Sequence, residues 1–145
     1  MTSRHLSLRL ELATFERLEA ESRRVGQTRS QVAKTLLEEG LRTQRHPGVT
    51  FRAGPAGHRP GIAGGPDVWE IVRVVKGVHG RGSDALALMA ELTGLTPEQV
   101  RTALRYYAEY PDEIDAWIQR VDEEATEAEA AFLREQAPPM PLVAV

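Results

Sequence analysis

The stretch Leu6-Ser7-Leu8-Arg9-Leu10 constrains this chain more than any other. Leu6, Leu8 and Leu10 alternate with His5, Ser7, Arg9 and Glu11, and a period of two predicts a β-strand with one apolar and one polar face. Two helical patterns follow it at once, with no second strand. An unpaired strand leaves backbone N–H and C=O groups without ladder partners and presents an open edge. The simplest remedy is the same strand from a second molecule. Such a two-stranded ribbon would turn its leucines inward and His5, Ser7 and Arg9 outward. A ribbon fits the major groove of B-DNA, where Arg, Ser and His side chains reach base edges.

The chain has 145 residues, enough for one or two small domains, and its 41% hydrophobic content allows a packed core. The absence of cysteine excludes disulfides and thiolate zinc sites and fits a reducing cytosol. Arg4, His5, Arg9 and Glu11 interrupt any apolar signal core, and no run approaches the roughly 20 apolar residues of a membrane span. The expectation is a cytoplasmic protein with no membrane role. Its net charge of −3 hides an asymmetry. Residues 1–46 carry 9 Lys/Arg against 6 Asp/Glu, residues 47–111 carry 7 against 6, and residues 112–145 carry 2 against 9. A basic head and an acidic tail imply different partners for the two ends, unless the tail is simply a solvated helix face.

In the head, Leu12, Phe15, Leu18, Ser22 and Val25 recur at spacings of three and four, which predicts a helix over about 13–25. Gly26 is its expected C-terminal stop. Thr28 with Gln31 three residues on forms a capping box and opens a second helix to about Arg42. Strand, helix, turn and helix fill roughly 40 residues, below the size at which a single core is normally stable alone, and interlocking with a second copy is the remedy.

This order resembles the ribbon-helix-helix family of bacterial repressors and antitoxins. The resemblance rests on the Leu-Ser-Leu-Arg-Leu strand, Leu18, the Gly26-Gln27-Thr28-Arg29-Ser30 turn and the Val32-to-Leu41 helix. It implies that His5, Ser7 and Arg9 read bases, with Arg9 able to contact guanine O6 and N7 together. It implies that Thr28, Arg29 and Ser30, at the start of the second helix, clamp a phosphate. It also implies a dimer core of Leu6, Leu8, Leu10, Phe15, Leu18, Val32, Leu36 and Leu37. His5 departs from the family's usual reading residues. The simpler alternative is that Ser7 and Arg9 only solvate a dimer strand.

Residues 43–66 hold six glycines and four prolines, a density that breaks helices. Val49, Phe51 and Ile62 among them predict a small β-hairpin, roughly 49–52 and 59–63, turning through Gly54-Pro55-Ala56-Gly57. No Gly-Lys-Ser/Thr is present, so a phosphate-binding P-loop is excluded.

Beyond the hairpin, Asp67 is placed to cap a helix to about Gly77 with Val68, Ile71, Val72 and Val75 inward and Trp69 beside them. Ser83 is placed to cap the next, with Leu86, Met89, Ala90 and Leu92 inward and Gly94 as the stop. Thr96-Pro97-Glu98-Gln99 is the clearest helix start in the chain, followed by Val100, Ala103, Leu104 and Tyr107 on one face. Pro111 breaks that run, and a last helix begins near Asp112. The fold class expected is mainly α: a ribbon-helix-helix dimer, then a small winged-helix-like domain (a helix-turn-helix with a β-hairpin), then a long C-terminal helix. The divisions fall at 1–44, 45–66, 67–118 and 119–145.

Leu95 to Val100, Ala103-Leu104, Tyr106-Tyr107 and Pro111-Asp112-Glu113-Ile114-Asp115 resemble a short bacterial antitoxin domain of the VapB type, which accompanies PIN-like nuclease toxins. The Gly/Pro region differs from that family's usual form. Arg101 and Arg105 sit four apart on the second helix of the pair, but Glu98 and Glu109 share it, which favours ordinary surface charge over DNA contact. In the tail, Ala and Glu favour helix through 119–136, but the apolar stripe thins beyond Val121, which predicts a helix frayed when alone. The segment Ala137 to Val145, with three prolines, is extended and suits pairing in a groove. The resemblance makes this end the toxin-binding candidate, through Trp117, Val121, Phe132, Leu133, Met140 and Leu142.

Four histidines are scattered without ligand spacing, and no Ser/His/Asp set or burial-prone carboxylate pair is recognisable, so no metal, cofactor or catalytic residue is assigned and no enzyme is expected. The reading is a dimeric antitoxin that represses its own operon through operator DNA and silences a toxin protein, with assembly beyond the dimer left open. The rival reading is a stand-alone repressor whose second domain oligomerises.

Overall fold

The computed structural model describes residues 2–54, 57–78 and 85–139. Among them the chain is mainly helical, with six helices and one two-stranded antiparallel hairpin. It divides into two compact units, Met1–Arg45 and His46–Val145.

The first unit consists of an irregular segment, residues 2–11, followed by α1 (Leu12–Val25) and α2 (Arg29–Arg45). Gly26 ends α1 in the left-handed conformation, φ 70°, where a side chain would be strained. The capping box at α2 forms as the spacing requires: Gln31 N–H donates to Thr28 Oγ1 at 3.1 Å, and Thr28 N–H donates to Gln31 Oε1 at 3.0 Å. Residues 2–11 are neither helix nor strand in the single chain. Packing here is sparse. α1 has no buried residue and α2 has only Val32, 4% exposed.

The second unit holds β1 (Val49–Gly54), β2 (Gly57–Ile62), α3 (Val68–Gly77), α4 (Ala85–Thr93), α5 (Pro97–Glu109) and α6 (Pro111–Gln136). The hairpin runs in plain register from Val49 opposite Ile62 to Gly54 opposite Gly57. Pro60 costs it no ladder bond that matters, because a two-stranded ribbon has two edges and an N–H on the outer side needs no partner strand. Val49 and Ile62 are buried, so the Gly/Pro-rich segment belongs to the core as much as the helices do. That core adds Val68, Ile71, Val72, Met89, Val100, Ala103, Tyr106 and Ile114. α5 is its central rod, touching α3, α4, α6 and both strands. The Thr96–Gln99 capping box is complete, with Pro97 at the first helical position. Gly94 takes φ 70° and ends α4.

Four local readings change. Asp67 precedes α3 but makes no side-chain cap, because its carboxylate is held by three other donors. Leu92 is not inward; it lies on the exposed side of α4. Tyr106, not Tyr107, is the fully buried tyrosine of α5. It sits off the Val100–Ala103–Leu104 stripe and is covered from the hairpin side, with the Phe51 ring 6.4 Å away. The last helix starts at Pro111 and continues unbroken to Gln136, so the Ala/Glu-rich half is regular where fraying was expected. Ser83, the expected cap of α4, lies outside the described residues, as do Pro55 and Ala56 of the hairpin turn.

Ile71→Ala should lower the unfolding free energy of the protein by about 2–4 kcal/mol in urea titrations, through lost burial and a residual cavity. Leu92→Ala should change it by less than about 0.5 kcal/mol.

Candidate functional site

The residues expected to read DNA lie on the segment before α1 and at the start of α2. His5, Ser7 and Arg9 are exposed, and so are Leu6 and Leu8, each 67% accessible. Leu10, Leu12, Leu36, Leu37 and Leu41 are exposed large apolar residues of the same unit. Phe15 and Leu18 are half-buried. One unit thus carries an apolar surface that its own chain does not cover. At the α2 N-terminus, Arg29 places its guanidinium over the Phe15 ring at 5.1 Å. Thr28 is occupied as the cap, while Ser30 is exposed with its hydroxyl to solvent. The amides of Arg29 and Ser30 open the helix, where the dipole favours an anion.

In the second unit the most organised polar cluster surrounds Asp67, a carboxylate 4% exposed. Arg52 Nη1–H donates to Oδ1 at 3.0 Å, Arg59 Nε–H donates to Oδ2 at 2.6 Å, and Trp69 Nε1–H donates to Oδ2 at 3.2 Å. Arg52 also donates to the carbonyls of Ile62, at 2.7 Å, and Gly65. Arg52 and Arg59 face each other across the ladder, where like charges repel, and Asp67 lies between them to offset that. Gly61 is required beneath: a Cβ there would sit 2.7 Å from Arg52 Cζ. Glu70, on the next turn, has its carboxyl raised, first by burial and then by the Asp67 charge, with Arg52 and Arg59 opposing. Arg52, Arg59 and Trp69 are all engaged by Asp67, which ties the hairpin to the start of α3.

A second network joins α3 to α6. Lys76 donates to Asp115, and Tyr107 O–H donates to the same Asp115 oxygen at 2.8 Å. The lysine and tyrosine bonds hold the Asp115 carboxyl below its ordinary range, and Asp115 in turn raises Lys76. An open groove of about 590 Å³ lies alongside, lined by Asp115, Ile118, Asp122, Glu123 and Glu127. At the start of the unit, His46 Nε2–H donates to Glu109 at 2.6 Å, with its ring edge-on to Tyr106 at 5.3 Å and Tyr110 at 6.1 Å.

Arg101 and Arg105 both pair with Glu98, at 2.5 and 3.6 Å. Of the toxin-binding candidates, Trp117 is half-buried with Arg120 stacked on it at 4.5 Å, Val121 is half-buried, and Phe132 and Leu133 are exposed. Met140 and Leu142 lie outside the described residues. The structure therefore gathers the head candidates on one small unit and strings the tail candidates along a single helix. The sequence reading missed the Asp67 cluster; its one signal was a pair of arginines in register across a predicted hairpin. Among the described residues, no group of three or more His, Asp or Glu is placed to hold a metal, and no helix is long and apolar enough to cross a membrane.

Comparison with protein-family models, with curated proteins and with solved structures finds no match.

Asp67→Asn should destabilise the protein by about 2–3 kcal/mol in denaturant titrations. That is below the ~3–5 kcal/mol for breaking a fully buried pair, because Arg52 and Arg59 keep 34% and 29% of their side-chain exposure. The Asp115 contribution has a defined pH sense. With its folded pKa lowered, it is present above the ordinary carboxylate range and is lost as pH falls below it. Asp115→Asn should accordingly narrow the stability gap between neutral and acid pH, seen as a shallower acid limb in melting temperature against pH.

Proposed function

We propose that this protein is a dimeric, DNA-binding antitoxin of a type II toxin–antitoxin system. On this reading the first unit pairs with its counterpart in a second copy as a ribbon-helix-helix, and the second unit is a winged-helix-like domain built from α4, α5 and the hairpin. The dimer represses its own operon. α6 and the residues after it bind and silence a cognate PIN-like ribonuclease.

One observation carries the reading: the first unit buries a single side chain while leaving seven leucines exposed. About 45 residues with that core cannot offset their conformational entropy alone. A second copy supplies what is missing. Alternating Leu6, Leu8 and Leu10 pair as an antiparallel ribbon, and Leu36, Leu37 and Leu41 cover one another. The outward row is then His5, Ser7 and Arg9, flanked by two α2 N-termini suited to phosphate.

The unit's charge of +3 over residues 1–46 is modest. Operator affinity then has to come from base contacts and from dimers on adjacent sites, with a clear salt dependence. The acidic C-terminal region would repel phosphate, which assigns it to the protein partner.

Arg9→Ala should weaken operator binding in a mobility-shift assay by about 1–3 kcal/mol per arginine, the range for one bidentate base contact. It should leave rescue of growth intact when co-expressed with the adjacent reading frame. Operator binding equal to wild type would reject the ribbon. Rescue by the full chain but not by a chain ending at Ile118 puts toxin contact in the tail. A harmless neighbour, or no rescue by either, would favour the stand-alone repressor.

A further inference from the structure

α6 presents an apolar stripe that begins in the core and runs out of it. Ile114, Ile118, Val121, Ala125, Ala128 and Phe132 follow a strict 4-3-4-3-4 spacing and fall within an arc of about 80° on the helix. Ile114 is fully buried, Ile118 and Val121 are half-buried, and Phe132 is 59% exposed. The stripe is thus one surface, covered at its base and bare at its end.

Its borders are acidic on both sides. At 100° per residue, Glu124 and Glu135 flank one edge and Asp122 and Glu129 flank the other. Asp122 pairs with Arg73 at 2.8 Å. Glu124, Glu129 and Glu135 are exposed and have no ion-pair partner among the described residues. The two cations of residues 119–136, Arg120 and Arg134, lie about 120° and 160° from the centre of the stripe.

We infer that the free half of α6 docks as a helix into a partner groove with an apolar floor and Lys/Arg along both rims. The inference rests on the antitoxin reading above and names the toxin surface that α6 meets. A second copy does not fit. Paired α6 helices, parallel or antiparallel, would bring the unpaired glutamates at 124, 129 and 135 against like charge, which costs affinity. The short alanines at 125 and 128 let the helix sit deep, and Phe132 is the anchor that fills a pocket. Leu133 lies about 100° off the stripe and rests on a rim instead.

The test is calorimetric titration of the full-length chain with the protein encoded by the adjacent reading frame, at rising salt. Three chains are compared: wild type, Phe132→Ser and Glu124→Lys/Glu129→Lys. All the changed positions are exposed, and circular dichroism checks that helix content is kept. Wild type should weaken with salt. The charge-reversed chain should bind roughly 10–100-fold more weakly at low salt and lose most of the salt dependence. Phe132→Ser should bind about 10-fold more weakly with the salt dependence kept.

Unchanged affinity and salt response on charge reversal would overturn the cationic rims while leaving the antitoxin reading in place. Loss of oligomer mass on Phe132→Ser, seen by sedimentation of the chain alone, would make a second copy the occupant and overturn the inference. No binding by wild type would overturn the antitoxin reading and this inference with it.

Discussion

The buried carboxylate of Asp67 is the interaction on which the second unit depends. A carboxylate removed from water is costly unless its lone pairs are met by charged or strong donors. Here Arg52, Arg59 and Trp69 meet both oxygens. The consequence is architectural. Two arginines placed opposite each other would push a short hairpin apart, and a two-stranded ribbon is marginal in water by itself. With Asp67 between them the same arginines lock the register and tie the ribbon to the start of α3. Gly61 leaves room for the Arg52 guanidinium, and the carbonyls of Ile62 and Gly65 accept from its Nη2. Hairpin, turn and helix are therefore one construction, with Val49 and Ile62 delivered to the core as a result.

Around that anchor α5 acts as the central rod, which explains why it buries residues on more than one face. α3 and α4 cover the Val100–Ala103 side, while the hairpin and His46 cover Tyr106. The tyrosine keeps its hydroxyl within 3.5 Å of Glu113 on α6, so the largest buried ring still has a polar partner. Aromatic contacts at such spacings add about 0.5–1.5 kcal/mol each beyond area burial. The second unit is a finished core. The first is not, and the contrast is one of coverage rather than composition: both have apolar residues at helical spacing, but only one has elements left over to cover them.

What was legible in the sequence divides along the same line. Features set within four residues came through. These are the Thr28–Gln31 and Thr96–Gln99 boxes, the glycine stops at 26 and 94, the proline-led start at 97, and the hairpin flanking Gly54 and Gly57. Each depends on local backbone chemistry that a short window contains. Features set by distant partners did not. Asp67 looked like a cap because its arginines are 8 and 15 residues away, and no local rule says that a carboxylate before a helix will turn from it. Tyr107 sits nearer the centre of the apolar stripe than Tyr106, and only the hairpin's position reverses their burial. Leu92 follows the same logic on α4, where periodicity placed it inward but none of the described residues buries it, and it is left exposed. The acidic half of α6 looked marginal because its stripe is narrow. Its continuity with the anchored half supplies the nucleus that an isolated segment would lack. The alternation of Leu6, Leu8 and Leu10 with His5, Ser7 and Arg9 is a local pattern of residue types, and among the described residues nothing buries those leucines.

The two exposed surfaces differ in a way that decides what can cover each. The leucines of the first unit lie on a segment whose charge is mixed, with arginines and glutamates interspersed along α1 and α2. A copy of that surface meets itself without a net penalty, and a two-fold axis gives every residue a partner at no cost in new sequence. The stripe of α6 is different, because both of its borders carry the same sign. Burying it against itself would desolvate carboxylates opposite carboxylates, and no two-fold arrangement removes that clash. On the antitoxin proposal, the same chain thus favours its own kind at one end and disfavours it at the other. A protein that needed only to oligomerise would gain nothing from the second property. One that must assemble with itself through its head and keep its tail available for a cationic partner requires both.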